Sequence, residues 1–566
     1  MSNYIFIRKK RSIFKRITRS LYFLILILFI YYLFPLFSIE RLEDVEYGHR
    51  LVEKLKIPGS DFYSSNQSCR FPVLNPFDPS ILEFVKHPSP LNCTLHQPEF
   101  TFVVGNEVFL NKRLAKKYNL TNLQYRYYRK ANGSDSSIFY SNLSPFPENS
   151  PLSLTSWSGV VVRGTYSRNS TYAFPYASVE PLYGLYKKQP QSAPGYRPNV
   201  VIIGIDSVSR SNVIRNLPLT YKYLTEEIGG WDMRGYIKVD DNTFPNMVAV
   251  LTGYKATVQK SEFSENPQKD FIDEWPFIWK NFSKIGYSTL LAEEQPGIFS
   301  YKAPGFKKQP TDVYLRSYGT LLSNEPSYEP YCFGDKPEAL LILESIERFM
   351  ESQESIENPY FVFSFLWKLS HDLTHEVERL DKILATWLER IHKKNLLRNT
   401  LFFLTSDHGN RFDKIRSTMV GRYEERMPFL FLRPPEKMLQ LFPDLEEKLS
   451  KNLYRMTCHY DFYETLIDIV RGDYGNLSRP RVHDRGQSLF TVIPENRTCN
   501  DVDIEEHFCV CQVRSYFLSM GLITMTTTPI DGIFEGVVQV TQASSNNATV
   551  ISTVTGYESI SRINSY

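Results

Sequence analysis

RPNVVIIGIDSVSRSN, residues 197–212, and DDNTFPNMVAVLTGYK, residues 240–255, are the two pieces of this 566-residue chain from which an architecture can be read. Val200 to Ile205 form a short β-branched run that stops at Asp206. A run of that length and composition predicts a fully buried strand. Ligands of open α/β sheets bind beyond the carboxyl ends of the strands, so Asp206 stands where chemistry is done. In the second piece an extended run, Gly235–Val239, leads through Asp240, Asp241 and Asn242 to Thr243. Met247, Val248, Val250 and Leu251 then repeat at helical spacing until Gly253, a C-terminal stop. Thr243 is predicted as the N-cap of that helix, at the positive end of its dipole. A hydroxyl there can cap, bind an anion, or attack one if a metal lowers its pKa.

From about residue 196 strands and helices alternate, which predicts a mainly parallel sheet with helices on both faces. Strands are expected at Ser288–Ala292, Tyr360–Leu366, Leu401–Leu404 and Phe429–Leu432, and helices at Trp275–Ile285 and Tyr460–Val470. Val377, Leu380, Leu384, Trp387, Leu388 and Ile391 mark the apolar face of a further long helix.

Two of those strand ends carry polar clusters. Tyr360–Leu366 leads to Ser370-His371-Asp372-Leu373-Thr374-His375, and Leu401–Leu404 to Thr405-Ser406-Asp407-His408-Gly409-Asn410-Arg411. His459 and His483 follow beside turn or helix signals. Carboxylates and imidazoles at one end of neighbouring strands are what a divalent metal site needs. A lone Asp-His pair reads equally well as a loop or cap. The convergence of Asp206, Thr243, His371 and Asp407-His408 on strand ends of one α/β unit favours a metal.

The rest of the chain sets the surroundings. The apolar fraction is 42% and the net charge +3, which makes no general case for nucleic-acid binding. The positive excess is local: Arg8, Lys9, Lys10, Arg11, Lys15, Arg16 and Arg19 crowd a basic tail, residues 1–19. Residues 20–39, SLYFLILILFIYYLFPLFSI, carry no charge and have the length of one bilayer crossing, and Glu40, Glu43, Asp44 and Glu46 follow. This pattern predicts an uncleaved type II signal anchor in the membrane, with a cytosolic tail and everything from residue 40 in the secretory lumen or outside. Two features agree with that side. Sequons at Asn66, Asn92, Asn119, Asn132, Asn142, Asn169, Asn281, Asn476, Asn496 and Asn547, which predict a glycoprotein, all follow the anchor. So do all seven cysteines. Cys69–Cys93 is expected as a local bridge and Cys499 with Cys509 or Cys511 as another, leaving one odd thiol. Residues 40–195, rich in Pro, Ser, Asn and Tyr, predict a stem and a small β-rich region with strands near Phe100–Val104 and Val160–Val162. The catalytic-type region is expected over 196–495 and a small Cys-containing α+β region over 496–566.

The segments IGIDSVSR, NTFPNMVAVLTG, PYFVFSFLWKLSHD and FFLTSDHGNRF resemble successive motifs of the alkaline phosphatase/sulfatase superfamily. SDHGNRFDKIRSTMVGRYEERMPF, NRTCNDVDIEEHFCVC and YESISRINSY resemble a membrane-anchored animal branch of it that is catalogued as a domain of unknown function. The resemblance implies a three-layer α/β/α sandwich. It implies Asp206 as the first metal-binding aspartate, Thr243 as a nucleophile that also touches the metal, and Asp407 with His408 as a later ligand pair. Zinc or manganese, one ion or two, suits that donor set. The helix start at Thr243 is expected to add backbone N–H groups for a developing anion.

Departures narrow the reading. Where two-metal relatives carry Asp-x-x-x-His, this chain has His371-x-x-x-His375. That favours one metal, or a second site of altered composition completed by His459 or His483; His459 reads equally as a surface residue at a helix start. His371 is assigned to the leaving group or the substrate. Threonine cannot become formylglycine, so phosphate esters and diesters are favoured over sulfate esters as substrates, whether small molecule, lipid headgroup or glycan. Arg210 and Arg411 are candidate oxyanion contacts. Glu424 and Glu425 either support arginines or face water. The resulting expectation is a metal-dependent hydrolase or transferase. The alternatives are a non-catalytic binding or display glycoprotein on the same fold and a sulfatase-like sulfuric ester hydrolase.

Overall fold

Two ladders of apolar side chains, one on each face of a central sheet, account for the arrangement of the α/β region. The computed structural model describes residues 67–511 apart from 73, 94–96, 168–169, 181–194, 257–260, 302, 325–330, 475–480 and 482. It also describes 525–526, 533–534, 538–541 and 551–554. The expected anchor and basic tail lie outside the described residues. Among the described residues no helix is long and apolar enough to cross a membrane.

The N-terminal strands are β1 (Thr101–Val104), β2 (Glu107–Leu110), β3 (Thr121–Lys130), β4 (Ile138–Tyr140), β5 (Ser144–Pro145), β6 (Leu152–Ser153), β7 (Gly159–Tyr166) and β8 (Ser170–Ala177). They form a three-stranded sheet, β1-β2-β6, and an antiparallel sheet in the order β4-β3-β7-β8, with β5 added to β3. The α/β part follows: β9 (Asn199–Ile205), β10 (Trp231–Asp232), β11 (Tyr236–Ile237), β12 (Ser288–Glu293), β13 (Val313–Tyr314), β14 (Cys332–Phe333), β15 (Lys336–Pro337), β16 (Tyr360–Leu366), β17 (Thr400–Thr405), β18 (Leu430–Arg433) and β19 (Thr457–Cys458).

Seven of these make one sheet, ordered β10-β18-β17-β9-β16-β12-β13. β17, β9, β16, β12 and β13 run parallel, and β18 is antiparallel to its neighbour β17. Every residue of β9, β16 and β17 is buried, as the unbroken apolar runs predict for strands covered on both faces. Alternate side chains enter different cores. Val201, Ile203, Val362 and Leu404 pack with the helices Glu338–Ser355 and Glu378–Lys393 and with the N-terminal β strands. Val200, Ile202, Phe363 and Phe403 pack with the helices Thr243–Thr252, Ile278–Lys284 and His459–Arg471. The layering is α/β/α, and the N-terminal sheets share one of its two cores.

Several boundaries differ from expectation. The helix expected from Trp275 begins at Ile278, because Trp275 precedes Pro276 and that position disfavours helix. The helix after β11 begins at Thr243 itself, and Asn242 is its N-cap, accepting from Phe244 N. It ends at Gly253 in the left-handed conformation, φ 75°. The buried helix Glu338–Ser355 was not anticipated.

The disulfides are Cys69–Cys511, Cys93–Cys332 and Cys499–Cys509. The expected Cys69–Cys93 bridge is therefore corrected: each cysteine pairs with one distant in sequence. Cys499 takes the nearer alternative, Cys509. The odd thiol is Cys458, buried at the start of the helix His459–Arg471. Residues 513–566 form a unit of their own containing two described hairpins, Met525–Thr526 with Ile533–Phe534 and Val538–Thr541 with Ile551–Val554.

Candidate metal centre

β9 and β17 are neighbours in register, with Gly204 opposite Thr405. Two residues further on, Asp206 and Asp407 leave the sheet side by side, and His408 follows. Ligand atoms of Asp206, Asp407 and His408 all lie within 4.8 Å of one another, and all three residues are buried. Thr243, partly exposed, places Oγ1 3.5 Å from Asp206 Oδ1 and 3.5 Å from His408 Nε2. Side chains from two strand ends and one helix start thus surround one point.

Small polar residues hold this geometry. Ser207, with φ 61°, turns the chain sharply after β9 and aims its N–H at Asp407 Oδ1 (2.9 Å). Its hydroxyl donates to Asp206 Oδ1 (2.7 Å). A non-glycine residue held in the left-handed region is strained, and such strain concentrates at functional sites. Ser406 Oγ accepts from Val208 N (3.0 Å) and joins the two turns. Asn246 Oδ1 accepts from Val239 N and Asp240 N, and its Nδ2 donates to Asp240 O and Asn242 O, which fixes the loop before Thr243. Gly409 packs so closely on the helix Met419–Arg426 that a Cβ would stand 2.2 Å from Glu424 O.

The electrostatics fit a divalent cation. His408 Nδ1 lies 2.8 Å from Gly409 O, so Nδ1 carries the proton and Nε2 presents its lone pair to the site. That lone pair is 3.1 Å from Asp407 Oδ2, a buried oxygen that accepts no hydrogen bond. Two acceptors facing each other in a dry site call for a cation between them. Burial, then the Asp407 carboxylate, pushes Asp206 well above the usual carboxylate range. Burial pulls His408 below the ordinary imidazole value and keeps it a neutral donor. Two carboxylates, an imidazole and a nearby hydroxyl are a hard-to-borderline set that suits zinc or manganese.

The remaining sequence candidates are not part of that ligand group, although His459 lies beside Asp407 and His408. Among the described residues no group of three or more ligand atoms includes His371, His375, His459 or His483. His371 is one-third exposed at its side chain, bonds Asp372 Oδ1 through Nδ1 (2.7 Å), and packs on Phe412 with ring centroids 4.8 Å apart. Asn410 donates to Ser370 O and His371 O, so the His371 loop is tied to the Asp407–Asn410 turn. His375 lies beside Glu376 at 3.7 Å, with its buried Nδ1 lacking a partner. His459 is fully buried, which overturns its surface reading. Burial pushes it down to about 3, and its Nε2 has no hydrogen-bond partner. His483 packs edge-on to Tyr254 at 4.3 Å.

Both arginine candidates already have carboxylate partners. Arg210 bonds Asp232 (2.8 Å), and Arg411 bonds Asp241 (2.6 Å). Glu424 and Glu425 turn out to be buried ion-pair partners, of Arg215 (2.9 Å) and Lys238 respectively. Lys238 Nζ also donates to Asp241 O (3.1 Å). The pair therefore underpins the acidic loop that delivers Thr243. The expected set of helix-start N–H donors shrinks: Phe244 N is capped by Asn242 and Pro245 has no N–H, which leaves that of Thr243.

A family model described as Protein of unknown function (DUF229) matches residues 112–524. The chain belongs to that family. The motif-based expectation of a group catalogued by its unknown function is met. No curated protein matches the chain. Solved structures similar to this DUF229 member include an alkaline phosphatase superfamily protein from Vibrio parahaemolyticus, at 15% identity and TM-score 0.34, covering 50% of this chain and 68% of that one. The lipoteichoic acid synthase LtaP from Listeria monocytogenes is similar at 12% and 0.35, covering 54% and 79%. The PsFucS1 sulfatase from Pseudoalteromonas sp. is similar at 12% and 0.34, covering 64% and 83%. Scores this low leave the chemistry to be read from the chain's own residues.

Proposed function

We propose that this DUF229 member is a metal-dependent hydrolase or transferase of phosphate esters or diesters, with Thr243 as nucleophile. The observation that carries the reading is the partly exposed Thr243 hydroxyl set 3.5 Å from both Asp206 and His408, beside buried acceptor atoms with no donor between them. A divalent cation bound by Asp206, Asp407 and His408 would lower the pKa of a hydroxyl and polarise a phosphoryl oxygen. Thr243 Oγ1 would attack phosphorus and expel the leaving alcohol, giving a phosphothreonine that water or an acceptor alcohol resolves. The N–H of Thr243, at the helix start, would meet a non-bridging oxygen. The His371 loop, tied through Asn410, would supply a group on the substrate side.

The placement in the cell is part of the proposal: a type II protein held by residues 20–39, with its site in the secretory lumen or outside. The three disulfides support an oxidising compartment. The substrate would be a phosphate-bearing small molecule, lipid headgroup or glycan.

The test uses the full chain in mild detergent, assayed for zinc and manganese content and for turnover of a phosphate monoester, a phosphodiester and a sulfate ester. Phosphate ester turnover that Thr243→Ala removes supports the reading. Protein that binds no divalent metal and turns over nothing would favour a binding or display glycoprotein instead. Turnover of the sulfate ester alone would favour a sulfatase.

A further inference from the structure

Four of the seven cysteines meet at one place that the metal centre does not use. Cys69 is bonded to Cys511 and Cys499 to Cys509. The two bridges touch: Cys499 Sγ and Cys511 Sγ, which are not bonded to each other, lie 3.4 Å apart. The sulfurs of Cys499, Cys509 and Cys511 all lie within 4.8 Å of one another. Exposure divides the four. Cys69 and Cys499 are buried, at 1% and 5%, whereas Cys509 and Cys511 are partly exposed. Cys93–Cys332, the third bridge, is buried at both ends.

The segment that carries three of these cysteines packs under the Thr243 loop. Val502, Ile504, Phe508 and Val510 share one buried cluster with Ile237, Val239, Met456 and Cys458. Phe508, next to Cys509, faces the Lys238 ammonium, which lies 4.8 Å from its ring centroid. Lys238 is the cation that pairs with Glu425 and donates to Asp241 O, two residues before Thr243. A change in the bridges over 499–511 therefore reaches that loop through a single side chain.

A disulfide is opened by a thiolate that attacks one sulfur and releases the other. In Cys499–Cys509 the sulfur within reach of solvent is that of Cys509, so attack there releases the Cys499 thiolate. That thiolate stands in contact with Cys511. We propose that the two bridges form a thiol–disulfide relay, in which the opening of Cys499–Cys509 by an external dithiol passes through Cys499 to Cys69–Cys511. The steps balance. One sulfur of the dithiol bonds Cys509, and the Cys499–Cys509 bond breaks. The Cys499 thiolate bonds Cys511, and the Cys69–Cys511 bond breaks. The second sulfur of the dithiol then displaces Cys509 and closes the dithiol into its own disulfide. The dithiol loses two electrons, its two protons go to Cys69 and Cys509, and the protein keeps one new bridge, Cys499–Cys511. The relay unties Cys69 and frees Cys509, the neighbour of Phe508, so the support at Lys238 loosens. It stands independently of the chemistry proposed at Thr243.

The test treats the full chain in mild detergent with one equivalent of dithiothreitol, alkylates at timed intervals and maps the linked peptides by mass spectrometry. A peptide pair joined through Cys499–Cys511 is expected, with alkyl groups on Cys69 and Cys509 and with Cys93–Cys332 intact. Alkylation of Cys69 is expected to slow at least about tenfold in the double variant Cys499→Ser/Cys509→Ser, which leaves only direct attack at Cys511. Amide exchange over residues 236–243 is expected to quicken about tenfold once the new bridge has formed. Alkylated Cys499 and Cys509 beside a retained Cys69–Cys511, with no Cys499–Cys511 pair at any time, would overturn the relay. So would Cys69 alkylation in the double variant within twofold of wild type. The wild-type map decides alone if the double variant fails to fold. Amide exchange within twofold of the untreated chain would overturn the reach to the Thr243 loop.

Discussion

The seven-stranded sheet buries both of its faces, whereas the five-stranded sheet buries one and turns part of the other to water. In β9, β16 and β17 every side chain is inside, so the only places left for a functional group are the strand ends. There the chain puts Asp206, Asp407 and His408, and it takes Thr243 from the helix that follows β11. In β3 only Tyr128 is fully buried, and the other side chains are partly or fully exposed. The same backbone ladder thus gathers candidate ligands at the strand ends of one sheet and leaves side chains of the other in contact with water. The contrast can be broken experimentally in four places.

The largest effect is expected at the strand ends. Asp407→Ala should reduce bound divalent metal to a small fraction of one ion per chain, and lower any phosphate ester turnover by about a thousandfold or more. Metal analysis beside kinetics checks both, and Arg129→Gln in β3 should change neither. Full metal occupancy in Asp407→Ala would detach this carboxylate from the site.

Next comes the buried support beneath the Thr243 loop. Lys238→Met leaves the buried Glu425 with only the more distant Arg426, 3.9 Å away, as a cationic partner, a change that costs about 3 kcal/mol. Denaturant unfolding should show a loss of that size. A loss under about 1 kcal/mol would mean that water reaches Glu425.

The packing contrast gives the third expectation. Ile202→Ala in β9 should cost about 2–5 kcal/mol, as for other large-to-small core changes. Phe139→Ala on the outer face should cost about 1 kcal/mol or less. Similar losses from the two would erase the distinction between a sheet covered twice and one covered once.

The smallest expected effect is pH-dependent. Glu293 ends β12 inside the protein, and burial pushes it up to about 7 from 4.5. Its folded pKa is raised above the unfolded value, so the folded form holds an extra proton across that window. Stability contributed by the protonated group is present below about pH 4.5 and is lost as pH rises to about 7. The loss has an upper bound of ~3 kcal/mol. Glu293→Gln, which cannot ionise, should flatten the fall in thermal midpoint between pH 5 and 8. A wild-type midpoint that rises over this range to the same extent as the variant's would contradict the assignment.

What the sequence disclosed follows from how locally each feature is determined. The strand Tyr360–Leu366 was read to the residue, and Val200–Ile205 and Leu401–Leu404 to within one at each end, because a doubly covered strand is an uninterrupted apolar run. The helix Glu338–Ser355 was missed. Its Glu347 looks like a surface charge, yet it is buried beneath Arg390 and Lys394, partners more than forty residues away. Asp206, Asp407 and His408 were legible because each directly follows a run that announces a strand end. Ser207, Ser406, Asn246 and the Lys238–Glu425 pair were not, since their roles exist only as contacts between distant segments. A serine after an aspartate at a strand end was the one available signal for Ser207. The cysteine pairing failed for the same reason. Proximity in sequence suggested Cys69–Cys93, whereas proximity in space pairs Cys69 with a residue 442 positions away.

That last bridge makes the chain between Cys69 and Cys511 a covalent ring. A protease that cut any loop inside it would separate nothing: the two fragments would migrate as one species until a reducing agent opened the bridges. Such a nick would therefore stay hidden on a non-reducing gel.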